Sequence, residues 1–441
     1  MARSSGAVTS VTPAEFTAAG KRYRVSGRTL EFEGGTLALK YFIGSNSAGR
    51  SFLHESEGYL YEAPVTWYAQ KNAWDASPGY QHDQEIRLTR AVEPTCLQCH
   101  ASRVRPVLGT QNRYGDPPFL DNGVSCERCH GPGSEHVREP AKYGMVNPVK
   151  LPAERRDDIC GQCHLTGEAR IDRPGRRFSE FRAGDLLSGY ANYVVWKLGR
   201  RDLKVTSHVE KLAASACKSS SGDRMWCGTC HEPHANQDKT QAACLGCHSQ
   251  AHRQTERCAT CHMPRTLAVD ANHGVMTDHG IPRAPRRTPP LRNETLVPFP
   301  GSIGDDRVLG LAYAELGDPR AKEHLLRAEP KDWPVRLRLA ALETDAARAA
   351  QLYESVLREN PSEPAALVNL GAYLAGQGRS AEAARFWERA LVANPALEEA
   401  VLNLSMIQPA AEAREILRLY LKLNPVSRKA QRRAAALART K

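Results

Sequence analysis

The chain has 441 residues, enough for two or three domains, and its 41% hydrophobic and 25% charged content is that of a folded globular protein rather than a disordered one. No apolar run approaches the length that crosses a bilayer. The formal charge of +11 points at first to nucleic acid or an anionic surface.

Residues 1–17 carry no regular pattern and read as a flexible N-terminus, and Met1 to Phe16 contains no apolar signal core. Residues 18–94 alternate as strands do. Tyr23, Val25, Leu30 and Phe32 are followed by Leu37, Leu39, Tyr41 and Ile43, with Gly34-Gly35 and Gly44 to Gly49 as turns. This predicts a small β-rich entry module. Its aromatics (Tyr59, Tyr61, Trp67, Tyr68, Trp74, Tyr80) fit a hydrophobic core or the face of a flat prosthetic group.

Residues 95–287 hold six copies of Cys-x-x-Cys-His, which use 12 of the 13 cysteines. They are Cys96/Cys99/His100, Cys126/Cys129/His130, Cys160/Cys163/His164, Cys227/Cys230/His231, Cys244/Cys247/His248 and Cys258/Cys261/His262. This is the attachment motif of c-type haem: two thiols bond the porphyrin and the next histidine supplies the proximal iron ligand. Zinc also uses paired Cys-x-x-Cys, but a zinc knuckle gives no reason for a histidine after the second cysteine in every copy. The stretch is expected to be loop-rich with short helices packed around six haems, whose own surface supplies much of the buried apolar area. Their 12 propionates bring the net charge to about −1 with ferrous and about +5 with ferric cores, so the excess Lys and Arg are expected to partner propionates, not nucleic acid. Haem attachment in bacteria happens outside the cytoplasmic membrane. A periplasmic or extracellular location is therefore expected, with the signal sequence not visible in this chain.

Pro and Arg dominate Ile281 to Pro300, and residues 288–304 read as a semi-rigid linker. Residues 305–441 turn to Ala, Leu, Glu and Arg with helical periodicity. Leu367, Leu370, Gly371, Leu374, Ala383, Trp387, Ala390 and Pro395 fall on the positions of a 34-residue tetratricopeptide unit, and Ala349, Tyr353 and Pro361 lie 34 residues before their counterparts. Looser units begin near Asp306 and Glu398. About four repeats are expected, stacked into an all-α solenoid that docks a partner or serves as a capping or dimerising domain. The fold class is thus mixed: β-rich module, multihaem domain, helical solenoid.

A low-spin haem needs a second axial ligand. Beyond the proximal six and His324, which is placed on a solenoid helix surface, the histidines are His54, His82, His136, His208, His234, His252, His273 and His279. His136 follows a Gly131-Pro132-Gly133 turn that lets the chain fold back over a neighbouring haem. His234 is too close to His231 in sequence to share its iron and must reach an adjacent one. Met225, Met263 and Met276 are the alternative ligands and would raise the potential. Cys217 is the odd thiol: axial thiolate, redox group or buried structural residue.

Further motifs accompany this pattern: Trp67-Tyr68, Ser77-Pro78-Gly79-Tyr80, Cys126-Glu127-Arg128-Cys129-His130-Gly131-Pro132-Gly133, Cys163-His164-Leu165, Cys217 before Ser221-Gly222, Cys230-His231-Glu232-Pro233-His234, Cys261-His262-Met263-Pro264 and Thr277-Asp278-His279. Together they resemble bacterial multihaem cytochromes with C-terminal tetratricopeptide repeats. The haem region is similar to the tetrahaem electron carrier of nitrifiers and the hydroxylamine-oxidoreductase and octahaem group. The resemblance implies His136, His208, His234, His252, His273 and His279 as distal ligands; His82, whose surrounding spacing departs from the family pattern, is a further candidate outside it.

Two functions follow as expectations. In the first, six mostly bis-histidine haems carry electrons between redox proteins or a membrane respiratory complex, and the repeats dock a partner or another copy, up to an extracellular filament. In the second, one five-coordinate haem makes the protein an oxidoreductase of a small nitrogen or sulfur compound. The Cys-x-x-Cys-Lys motif of pentahaem nitrite reductases is absent. A third reading makes the repeats a scaffold for a respiratory assembly.

Overall fold

The structure, a computed structural model, describes residues 3–45, 47–83, 85–197, 202–235, 237–248, 257–271, 273–283 and 294–439. Nine strands open the chain: β1 (Ser5–Ala7), β2 (Val11–Ala18), β3 (Lys21–Gly27), β4 (Thr29–Phe32), β5 (Gly35–Ala38), β6 (Tyr41–Ile43), β7 (Arg50–Ser56), β8 (Tyr59–Tyr68) and β9 (Ala73–Ala76). They form a four-stranded antiparallel sheet, β2-β3-β4-β5, and a five-stranded sheet, β1-β6-β7-β8-β9. Val25, Leu30, Leu39, Ala63 and Val65 fill the space between the sheets and are fully buried. Phe16, Tyr23, Phe52 and Trp74 stack through it at centroid distances of 5.1–5.7 Å. Burial of such rings is the dominant favourable term here.

Residues 1–17, read as flexible, differ in part. Ser5–Ala7 pairs with Tyr41–Ile43, and Val11–Ala18 pairs with Lys21–Gly27. The cause is Phe16, whose stacking on Tyr23 and Trp74 gives β2 a side to bury even though its exposed side is polar.

The central region runs through α1 (Pro94–Leu97), β10 (Val104–Pro106), β11 (Tyr114–Phe119), α2 (Glu127–His130), α3 (Ser134–Arg138), α4 (Ala153–His164), β12 (Ala169–Asp172) and β13 (Ala191–Trp196). It continues through α5 (His208–Ala213), α6 (Ala216–Ser221), α7 (Cys227–Cys230), β14 (His231–Glu232), β15 (Gln237–Asp238), α8 (Thr240–Cys247), α9 (Cys258–His262), β16 (Arg265–Leu267) and β17 (Val275–Thr277).

The segment read as a linker contains β18 (Leu296–Pro298), which pairs antiparallel with Val194–Trp196 of β13. Nine helices follow: α10 (Asp306–Glu315), α11 (Ala321–Arg327), α12 (Trp333–Leu342), α13 (Ala346–Glu359), α14 (Pro364–Gly376), α15 (Ser380–Ala393), α16 (Glu398–Ile407), α17 (Ala410–Leu423) and α18 (Arg428–Arg439). They stack as four antiparallel pairs and a final single helix. Small residues permit the close packing: a Cβ on Gly371 would stand 2.5 Å from the Trp387 Nε1, whose N–H donates to the Val368 carbonyl at 3.0 Å.

The solenoid is packed on the rest of the chain at both ends. Val308, Leu311, Ala312 and Tyr313 of α10 share a core with Ala169, Ile171, Val194 and Leu296 of the β12-β13-β18 sheet. At the far end Ala396 and Leu423 close on Tyr59 and Tyr61 of β8. Among the described residues no helix is long and apolar enough to cross a membrane.

Candidate functional site

Each Cys-x-x-Cys-His motif lies on one helical turn, in α1 and the turn after it, α2, the end of α4, α7, α8 and α9. Positions i and i+3 share a helix face, so both sulfurs of a motif project on one side and the histidine follows at i+4. All 13 thiols are free of disulfides.

The fold then brings the motifs side by side. Cys99 lies against Cys163, a contact that holds the Cys99 thiol below its usual range and, with burial, pushes Cys163 well up. Cys160 and Cys227 meet in the same way, their contact raising the Cys160 thiol and lowering that of Cys227. Burial pushes Cys244 up to about 11, with the charges of Cys258 and Cys230 adding to the rise. The first, third, fourth, fifth and sixth motifs thus form a contiguous file.

The second motif lies against the third, with Cys129 beside Cys160 and Cys163 and the Gln162 Nε2 donating to the Arg128 carbonyl at 3.2 Å, and it faces the fourth through histidine. The His130 and His234 rings lie 5.8 Å apart, within 18° of parallel. His231 and His279 lie 6.1 Å apart at 30°. Two imidazoles sharing one metal at bonds of about 2.0–2.1 Å have ring centroids roughly 6 Å apart. His208 meets His164 at 5.0 Å and His279 at 4.6 Å, so His164, His208, His279 and His231 form one continuous group. Burial, then the neighbouring rings, holds His208 down at about 3.

Several rings are oriented by backbone. The Nδ1 of His130 bonds the Val146 carbonyl at 2.7 Å, His136 the Tyr143 carbonyl at 2.6 Å, His262 the Pro282 carbonyl at 3.1 Å and His279 the Thr277 carbonyl at 3.0 Å. Only an N–H can make such a bond, so in each ring Nε2 keeps the lone pair a metal needs. The fold-back at His136 depends on Gly131, at φ 72°.

Other histidines are placed differently. His273 donates from Nε2 to the Asp75 carboxylate at 2.6 Å and lies edge-on to Tyr68. His54 is buried in the β module, bonded to the Leu88 carbonyl at 2.8 Å and stacked on Tyr61. His82 is exposed in a turn. His324 bonds Asp306 at 2.5 Å and stacks on Tyr313. His252 lies outside the described residues. Cys217 sits half-buried on α6, near Cys244. The N-terminal aromatics belong to the β core rather than to the motifs.

Whether these surroundings fit haem can be tested on polar atoms that the chain leaves unpaired. Beside Cys99 the buried Tyr193 hydroxyl, Gln98 Nε2, Gln162 Oε1 and Arg170 Nε have no hydrogen-bond partner. Gln162 carries the carbonyl 3.8 Å from the Cys99 sulfur, and Tyr193 feels the charges of Arg170 and Cys99. An unpaired buried donor costs about 1–3 kcal/mol, and the carboxylate arms of a closely packed neighbouring haem would accept from Tyr193, Gln98 and Arg170, whereas Gln162 Oε1 is an acceptor that no carboxylate answers. The residues fit the group. Sequence reasoning missed Gln98, Gln162 and Tyr193, whose role depends on chain proximity that no motif encodes. By contrast, no three or more His, Cys, Asp or Glu among the described residues are arranged to hold a bare metal ion.

Comparison with known proteins agrees with the chemistry. The family described as cytochrome c554 and c-prime matches residues 63–131, a stretch that contains the first two motifs whole. Over 183 residues the chain is 25% identical to multiheme cytochrome MtrA of Shewanella baltica (strain OS185), covering 35% of this chain and 52% of that protein. The chain therefore spans about half the length of this curated relative. Among solved structures, the outer cell wall cytochrome OcwA is 14% identical with TM-score 0.34, covering 83% of this chain and 88% of OcwA. A crystal structure of MamA is 18% identical with TM-score 0.22, covering 30% of this chain and 77% of that one.

Proposed function

We propose that the chain is a multihaem c-type cytochrome that carries electrons through six covalently attached haems, outside the cytoplasmic membrane, with its solenoid as the docking surface for a redox partner or another copy. The observation that carries the reading is the contiguous file of motifs, joined by Cys99–Cys163, Cys160–Cys227, Cys244–Cys258 and the His164–His208–His279–His231 group. Its similarity to c-type and multihaem cytochromes supports covalently bound haem c.

Bound haem supplies one-electron exchange between ferric and ferrous iron, at a potential set by axial ligands and surroundings. The chain's own residues attach and orient it. Cys96/Cys99, Cys126/Cys129, Cys160/Cys163, Cys227/Cys230, Cys244/Cys247 and Cys258/Cys261 hold the macrocycles, with His100, His130, His164, His231, His248 and His262 proximal. His234 serves the haem of His130 and His279 that of His231, on ring separation and orientation, and His208 serves that of His164. His136, His273 and His252 remain for the other three. The carbonyl bonds to Nδ1 keep Nε2 directed at iron and raise its basicity. With a histidine from each side, these residues would leave the iron no open position for a substrate, which suits transfer over substrate chemistry.

Low-temperature EPR of the fully oxidised protein, repeated with nitrite or hydroxylamine, tests this. Six low-spin ferric haems unmoved by either addition are expected. A high-spin haem that shifts on addition would replace this reading with the oxidoreductase one.

A further inference from the structure

Three of the solenoid's inter-repeat loops begin with Asn-Pro: Asn360-Pro361, Asn394-Pro395 and Asn424-Pro425. Two keep the side-chain amide within their own repeat. Asn360 Nδ2 donates to Glu363 at 3.2 Å, and Asn424 Nδ2 donates to the Tyr420 hydroxyl oxygen at 3.1 Å.

Asn394 is turned outward. Its Nδ2 donates to Gln111 Oε1 at 2.8 Å, while its Oδ1 accepts from the Ala396 N–H at 2.9 Å and the Tyr61 hydroxyl at 3.2 Å. Asn394 is 4% exposed, so these bonds are shielded from water. The loop is seated by further bonds: the Gln111 N–H donates to the Ala393 carbonyl at 2.9 Å and the Tyr59 hydroxyl to the Val392 carbonyl at 2.6 Å.

The chain of bonds continues to the first motif. Gln111 Nε2 donates to Glu93 Oε1 at 2.7 Å. Glu93 is the N-cap of α1, and its carbonyl accepts from the Cys96 N–H at 3.0 Å and the Leu97 N–H at 3.3 Å. Its carboxylate makes no capping bond of its own, so its position is set from the solenoid side. Burial pushes the Cys96 thiol up, a hydrogen bond to the Glu93 backbone opposes that rise and the Glu93 charge adds to it by less, so both the backbone and the carboxylate of Glu93 reach the attachment site. Glu363 of the solenoid also feels Glu93.

We propose that Gln111 and Asn394 are positioning residues that pin the Glu93 carboxylate beside the first haem attachment and so hold that haem's reduction potential down. The inference rests on the reading of Cys96, Cys99 and His100 as a haem site. A fixed negative charge favours ferric over ferrous iron, and its pull fades when the side chain swings into water and salt. The solenoid thereby has a second task besides any docking: it tunes the entry haem through three side chains.

Spectroelectrochemical titration of the holoprotein tests the proposal, with the first-haem component identified as the one missing from Cys96→Ala/Cys99→Ala. Glu93→Gln keeps an acceptor for Gln111 but removes the charge. Gln111→Met and Asn394→Ala free the charge without removing it. All three should raise the first-haem component, by up to a tenfold change in its ferric-to-ferrous ratio at fixed potential, which is about 59 mV for one electron, and leave the other components in place. An unmoved component in Gln111→Met overturns the proposal, even if Glu93→Gln shifts it. Gln111→Met leaves the solenoid intact and decides the matter should Asn394→Ala fail to accumulate. Intact mass separates the two levels: if Cys96→Ala/Cys99→Ala keeps the parent's haem count, the haem reading of this motif has failed, whereas loss of one haem with unshifted potentials refutes the positioning role alone.

Discussion

Asp332→Ala should destabilise the solenoid and loosen its seam with the central region. Arg307 of α10 is 3% exposed. Its Nε donates to Asp332 at 3.1 and 3.2 Å, its Nη2 donates to the same carboxylate at 2.6 Å, and its Nη1 donates to the Asp172 carbonyl of β12 at 3.0 Å. Removing one partner of a buried ion pair leaves an uncompensated charge and costs about 3–5 kcal/mol, a large share of the roughly 5–15 kcal/mol that holds a domain folded. Part of that cost falls on the α10–β12 seam, because the orphaned guanidinium must move toward water and take its bond to Asp172 with it. Guanidinium titration followed by far-UV circular dichroism, extrapolated linearly, should show the loss. The double variant Arg307→Met/Asp332→Leu, which replaces the pair by apolar side chains, should recover most of it. A loss under about 1 kcal/mol in Asp332→Ala, or a double variant as unstable as the single, would refute the reasoning.

Three further outcomes are expected. Gly371→Val forces a side chain into the Trp387 indole, with a Cβ only 2.5 Å from Nε1; overpacking of this kind costs about 1–3 kcal/mol and should lower the solenoid's melting temperature by calorimetry without changing haem count. His208→Ala removes the ring 5.0 Å from His164 and should convert one haem to high spin, read as one spin-quantified EPR signal. His54 is held down to about 4 from 6.5, by burial first and against its bond to Leu88. The unfolded chain therefore binds the extra proton between these values, so stability is fully present above about 6.5 and falls as pH drops toward 4, by about 3 kcal/mol at about 1.36 kcal/mol per unit. His54→Gln should flatten that acid slope in urea titrations at stepped pH.

The six Cys-x-x-Cys-His positions were legible because the motif sets two thiols and a histidine within five positions, which no fold can rearrange. The partners of those histidines were not. His208 reaches His164 from 44 residues away, and His130 meets His234 with α3 to α7 lying between them in the chain, so only the folded path brings them together. The strands at Tyr23–Phe32 were readable from alternation, whereas Val11–Ala18 hid its apolar side among Thr and Glu. Leu296–Pro298 read as linker because Pro and Arg surround it, yet its strand partner, Val194–Trp196, lies about a hundred residues earlier. Repeat spacing revealed the helices of the solenoid. It gave no hint that Asn394, alone of the three Asn-Pro positions, faces the first motif.

The most direct test of the account is the haem-to-chain ratio, measured by intact mass on protein matured in a host that attaches haem c. Six covalent haems per chain are predicted. A chain that matures with fewer, or one whose cysteines carry zinc in place of haem, would contradict it.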